Sequence, residues 1–312
     1  MKQVAQNLAF VGIVFCLVMG CRFKDPSIPG HSKKPMLSFK NVEGITYTEV
    51  RRQQKGLSFN EYGYHLLPEW KLRFVSSDSV ALYSPVKKQF LNFPLSCGID
   101  SIFNTNRSFL RMKHMSKDSL IFELLEAKDD SLDLKGTKVY MLFYADNYIK
   151  NVLHTNAAIL QHSNRKDSLF IKGLVKRADS SLINAFAALN PAQLTSTRSS
   201  ITVKKEKTVA DFLLNNYNTS DDYMSPKYHI TINKAYSDFN YSFSAYVDKE
   251  GKLFYNTPLI PFGEGGYKQQ YVRFSKAIMN TYLKLYVKVR PGQTLGMPHT
   301  SLINLYVHGK KS

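Results

Sequence analysis

Between residues 45 and 171 the apolar residues come in strand-length runs parted by short polar turns, a repeating figure that restricts the fold strongly. Trp70-Lys71-Leu72-Arg73-Phe74-Val75 alternates, Ser76-Ser77-Asp78 turns, and Ser79-Val80-Ala81-Leu82-Tyr83 runs back. The same figure recurs at Phe109-Leu110-Arg111-Met112-Lys113-His114, with turn Ser116-Lys117-Asp118 and return strand Ser119 to Leu125. Alternation buries one face of each strand, and short Asp and Ser side chains hydrogen-bond to turn amides. Asp-Ser pairs before Ile102-Phe103 and Leu169-Phe170-Ile171 predict two further strands of this kind. Val139-Tyr140-Met141-Leu142-Phe143-Tyr144-Ala145 predicts another, ended by Asp146 to Asn151. An antiparallel meander, a sandwich or a small barrel fits this pattern.

Composition supports a folded chain. Of 312 residues 44% are hydrophobic and 13% aromatic, which is enough apolar surface for two domains and excludes a disordered protein. Nineteen Tyr and twenty Phe against one Trp favour pleated, half-buried surfaces. The formal charge is +18, so anionic surfaces are the expected partners.

At the amino terminus Lys2 precedes an apolar run from Leu8 to Met19, closed by Val18-Met19-Gly20-Cys21. The run is too short to span about 30 Å of hydrocarbon as a helix. It resembles the bacterial lipoprotein signal family. That resemblance implies removal of residues 1–20, lipid on the Cys21 thiol, an acyl chain such as palmitate on the new amino terminus, and a place in the cell envelope, most simply the outer membrane. Several acyl chains anchor stably, so no transmembrane helix is expected. Loss of Lys2 would leave +17, and the envelope offers lipid headgroups, lipopolysaccharide, acidic glycans and acidic proteins as partners; nucleic acid is not expected there. Residues 21–44, with Pro26, Pro29 and Pro35 among lysines, read as a flexible tether. Cys16 leaves with the signal and Cys21 carries lipid, so Cys97 has no partner and reads as a structural thiol.

Residues 172–208 read as a connector with a short helix over Ser180 to Leu189, stopped by Asn190-Pro191. From 209 onward the order is a helix at Val209 to Asn216, strands at Tyr228 to Ile232 and Tyr241 to Val247, turn Asp248 to Gly251, and strand Lys252 to Tyr255. A helix over Tyr267 to Tyr286, turn Pro291-Gly292 and strand Ser301 to Val307 complete it. The fold class is therefore α+β: a β-rich domain at 45–171 and a smaller α+β module at 209–312.

Val247-Asp248-Lys249-Glu250-Gly251-Lys252-Leu253, the helix with Ala277-Ile278, and Val289-Arg290-Pro291-Gly292-Gln293-Thr294-Leu295-Gly296-Met297-Pro298 resemble the carboxy-terminal domain of TonB-type energy transducers. The match covers about the last hundred residues. It implies that Asp248 and Gly251 form a turn between two strands, that Pro291 and Gly292 lead from helix to final strand, and that the domain docks by strand addition on outer-membrane transporters. Tyr223-Met224-Ser225-Pro226 stands where the family has a Tyr-Pro pair, and the family's uncleaved membrane helix and proline-rich span have no counterpart here. Energy transduction is not carried over.

Chemistry-bearing patterns are sparse. The eight histidines form no metal-ligand spacing, so neither metal nor cofactor is expected. Gly263-Glu264-Gly265-Gly266 lacks the Lys and Ser/Thr of a phosphate loop, and Asp129-Asp130 and Asp221-Asp222 are adjacent turn acids rather than an acid/base dyad. Arg107, Arg111 and Lys113 have odd-number spacing and would form an anion-attracting row on one strand face. The sequence thus predicts a non-catalytic, membrane-tethered adaptor whose carboxy-terminal module binds an envelope protein or anionic glycan. The alternatives are a small-ligand pocket inside the β-rich domain and, third, a hydrolase with a site assembled from distant residues.

Overall fold

A computed structural model describes residues 37–98, 100–128, 131–135, 137–208, 219–262 and 266–311. The signal, most of the tether, the helix expected at 209–216 and the acids Asp129 and Asp130 lie outside the described residues.

Nine strands form one antiparallel sheet: β1 (Thr46–Gln54), β2 (Lys71–Ser76), β3 (Ser79–Ser84), β4 (Gln89–Pro94), β5 (Ser96–Cys97), β6 (Ile102–Thr105), β7 (Ser108–Met115), β8 (Ser119–Leu125) and β9 (Val139–Ala145). Their spatial order is β4-β3-β2-β1-β9-β8-β7-β6-β5. The two edge strands are consecutive in the chain, with Leu95 alone between Pro94 and Ser96. A sheet whose opposite edges are joined by one residue cannot lie flat; it curls until the edges approach, giving a nearly closed structure. Buried Leu95 sits at this seam, its N–H donating to Asp78 O at 2.8 Å.

Aromatic rings fill the interior. Phe39 stacks on Phe74 at 4.0 Å, Phe103 meets both Phe39 and Phe122 edge-on at 5.3 Å, and Phe122 lies 5.0 Å from Phe143. They reach the interior by alternation: in β9 Val139, Met141, Phe143 and Ala145 point inward. In β1 the register slips by one residue between Glu49 and Arg51. This bulge brings Glu49 and Arg52 to the same side, where the guanidinium donates to both carboxylate oxygens at 2.8 Å. The Glu69 and Trp70 amides donate to the same carboxylate at 2.9 and 3.0 Å, fully satisfying a buried charge.

After β9 come short helices α1 (Asp146–Asn151) and α2 (Ala157–Leu160), then α3 (Arg165–Ser180). Two sequence expectations fail here. Asp167-Ser168 does not turn into a strand, and the connector helix does not span Ser180 to Leu189, which holds only the 3-10 turn Leu182–Asn184. The physical reason is a capping box. Asn164 Oδ1 accepts from the Asp167 amide at 2.9 Å while Asp167 accepts from the Asn164 amide at 3.1 Å. Ile171, Leu174 and Ala178 then fall on one buried helical stripe. Asp167 also accepts from Arg51 at 3.1 Å and from the Ser58 amide at 2.8 Å, fastening α3 to the first sheet.

The second sheet contains β11 (Ile201–Lys205), β12 (Lys227–Ala235), β13 (Phe239–Val247), β14 (Leu253–Pro258) and β16 (Ser301–Lys311), in the order β11-β12-β16-β13-β14. Strands β12 and β16 are parallel and the other pairs antiparallel. Residues Ile201–Lys205, expected as connector, thus form an edge strand of this sheet. A separate ribbon pairs β10 (Gln193–Ser196) with β15 (Val287–Arg290). Helix α5 (Tyr267–Ile278) continues through a π turn, Met279–Leu283, into α6 (Lys284–Tyr286), matching the expected span. Ile278, Met279 and Leu283 pack with Phe243, Val247, Ile303 and Leu305. Between the sheets, Phe59, Ile171, Leu174, Ala178 and Phe186 form a third cluster.

Phe122 touches rings on two sides and is fully buried. Phe122→Ala is expected to lower unfolding free energy by about 3–5 kcal/mol, read as a shift in urea midpoint at unchanged slope. A loss below about 1 kcal/mol would show that the interior does not depend on this packing.

Candidate functional site

The β13–β14 hairpin is built by its turn residues. Asp248 Oδ1 accepts from the Glu250 and Lys252 amides at 2.9 and 2.8 Å, and the Gly251 amide donates to Asp248 O at 3.0 Å. Gly251 has φ +83°, and a Cβ there would lie 2.4 Å from Val289 O. A side chain would cost about 1–2 kcal/mol for the left-handed backbone before that clash. Glycine therefore lets the hairpin turn touch β15.

Pro291 and Gly292 follow β15 and precede β16. A Cβ on Gly292 would meet Ala188 Cβ at 2.6 Å and Ser301 Oγ at 2.9 Å, so this backbone packs directly on the segment after α3. The contact is held by a buried polar relay. The Leu189 amide donates to Thr294 Oγ1 at 3.1 Å, Thr294 pairs with His299 Nε2 at 3.0 Å, and His299 Nδ1 pairs with Thr300 O at 3.1 Å. A carbonyl can only accept, so Nδ1 carries a proton; in the neutral ring, which burial favours, Nε2 then accepts from the Thr294 hydroxyl. Phe186 stacks on it at 3.7 Å, and burial pushes the His299 pKa down.

The proposed cation row is arranged differently from its spacing. Arg107 occupies the turn between β6 and β7 with φ +60°. Arg111 donates to Glu123 at 3.1 Å and to Leu134 O at 3.0 Å, and Lys113 approaches Glu123 at 3.8 Å. The register slips between Met112 and His114, which breaks the period of two at Lys113. Two of the three cations thus share one nearly buried carboxylate, contributed by the neighbouring strand β8. No spacing within 107–113 could reveal Glu123; only the β7–β8 pairing brings it there.

Cys97 lies partly buried against the first core, and desolvation pushes its thiol pKa up. Asp221 and Asp222 open the short helix α4 (Asp221–Met224), beside Tyr223, whose hydroxyl accepts from the His65 amide at 3.0 Å. Among the described residues no group of three His, Cys, Asp or Glu gathers as metal ligands, and no helix is long and apolar enough to cross a membrane. Cys21 lies outside the described residues.

No protein-family model matches the chain, and no curated protein matches it.

The buried imidazole gives a pH prediction. Folded His299 holds its proton less readily than the unfolded chain, whose histidines titrate near 6.5. Unfolding therefore takes up a proton below that value, and stability falls as pH drops through it, by at most about 1.4 kcal/mol per pH unit for this group. His65, also pushed down by burial, acts in the same direction. Urea midpoints are expected to be level above pH 7 and to fall towards pH 5, less steeply in His299→Gln; identical slopes in both proteins would contradict the relay.

Proposed function

We propose that this chain is a lipid-tethered, non-catalytic adaptor of the bacterial envelope, anchored through Cys21 in the outer membrane. It holds an envelope protein or an anionic glycan against its carboxy-terminal module. The observation that carries the reading is the contrast between the two sheets. The first is filled by Phe39, Phe74, Phe103, Phe122 and Phe143, which leaves its interior to packing rather than to a small ligand. The second keeps two edge strands, β11 and β14, each paired on one side among the described residues.

The likeness to TonB-type carboxy-terminal domains adds support. The Asp248–Gly251 turn joins two strands, and Pro291-Gly292 precedes the final strand. A strand offered by a partner cannot pair with β16, which already lies between β12 and β13, so β11 and β14 are the places for strand addition.

Labelling with palmitate tests the anchor: the wild-type chain is expected to incorporate label and sediment with membranes, and Cys21→Ala to do neither. A Cys21→Ala chain that still labels contradicts the assignment. Cross-linking in intact cells is expected to give a discrete protein or glycan adduct; a chain recovered only in free form contradicts the adaptor.

A further inference from the structure

A cleft of about 390 Å³ opens between β14 and β15, lined by Gly251, Leu253, Val287 and Val289, with Lys252, Phe254 and Lys284 also on its walls. Both walls are strand edges. The Asp248 amide donates to Lys252 O at 3.1 Å, so backbone groups of residues 252 and 254 face β13 and those of Leu253 and Tyr255 face away. Likewise the Thr197 amide donates to Tyr286 O at 2.8 Å, so residues 286, 288 and 290 face β10 and Val287 and Val289 face away. Among the described residues these four outward-facing residues make no backbone hydrogen bond to a loop or turn, and Val289 O is covered by Gly251. The walls converge where Val289 O abuts Gly251. Lys284, which directly follows the π turn Met279–Leu283, lies on the cleft wall as well.

We infer that this cleft receives an extended, carboxylate-bearing peptide segment of a partner protein, added as a strand between β14 and β15. The inference rests on the adaptor reading and supplies its docking site and partner chemistry. Only a peptide backbone offers donors and acceptors alternating at strand spacing towards both walls; a lipid headgroup or a sugar does not. Charge selects an acidic segment. No Asp or Glu lines the cleft, Lys284 makes no ion pair among the described residues, and Lys252 has only Glu250 at 4.0 Å. Phe254, 37% exposed on the cleft wall, supplies apolar surface for a side chain of the segment.

The test selects a displayed library of random dodecapeptides on the full chain and on a Lys252→Glu, Lys284→Glu variant. Wild-type protein is expected to enrich Asp- and Glu-containing sequences with β-branched residues, and the variant to bind them about tenfold or more weakly. Charge reversal at Lys87 and Lys88, in the turn after β3, is expected to leave binding unchanged. A recovered peptide N-methylated at alternate residues is expected to lose about tenfold or more on unaltered protein, because strand pairing is blocked. Equal enrichment by both proteins, indifference to N-methylation, or a cleft variant that loses binding only to anionic phosphatidylglycerol vesicles each overturn the proposal. In cells, an adduct formed equally by wild type and cleft variant leaves the adaptor standing and removes the cleft. Absence of an adduct from both removes the adaptor itself.

Discussion

Every strand edge carries N–H and C=O groups that must find partners or meet water, and the two sheets meet this constraint in opposite ways. In the first, Leu95 joins β4 to β5 and brings the edges of nine strands together around five phenylalanines. That solution spends the interior on packing. In the second, the central position of β16 satisfies the longest strand on both sides and moves unpaired backbone outward to β11 and β14. The ribbon of β10 and β15 then sets another edge opposite β14, fixed by the contact between Gly251 and Val289.

Charge follows the same division. Around the first sheet, cations are held by acids with little exposure: Arg52 by Glu49, Arg51 by Asp167, and Arg111 with Lys113 by Glu123. These groups organise the structure, and removing one partner would leave a buried charge uncompensated. At the cleft, Lys252 and Lys284 remain accessible, so the net positive charge of the chain can act there on an acidic partner.

Where local chemistry and tertiary packing agree, the sequence was informative. Ser119–Leu125 and Val139–Ala145 are strands over their full expected spans, because alternation coincides with one buried face. The Asp248–Gly251 turn was legible too, since Asp and Gly each meet a specific backbone demand. Asp167 was not: the Asp-Ser pair suits a turn and a helix start equally, and only Asn164 and the stripe from Ile171 to Ala178 decide between them. Closure at Leu95 depends on which strands pair, and the neutralising Glu123 depends on register across β7 and β8, so neither can be read along one segment. The cleft was missed for the same reason, because its walls, which begin at Leu253 and Val287, are far apart in the chain and their signal is backbone direction rather than residue type.

Amide hydrogen exchange compared between the full-length lipidated chain in isolated envelopes and the same chain purified in detergent tests the central claim most directly. The expected result is slowed exchange at Leu253, Tyr255, Val287 and Val289 in envelopes, with strands β1 to β9 unchanged. Slowed exchange within β1 to β9, with those four amides unaffected, would contradict it and place recognition on the first sheet.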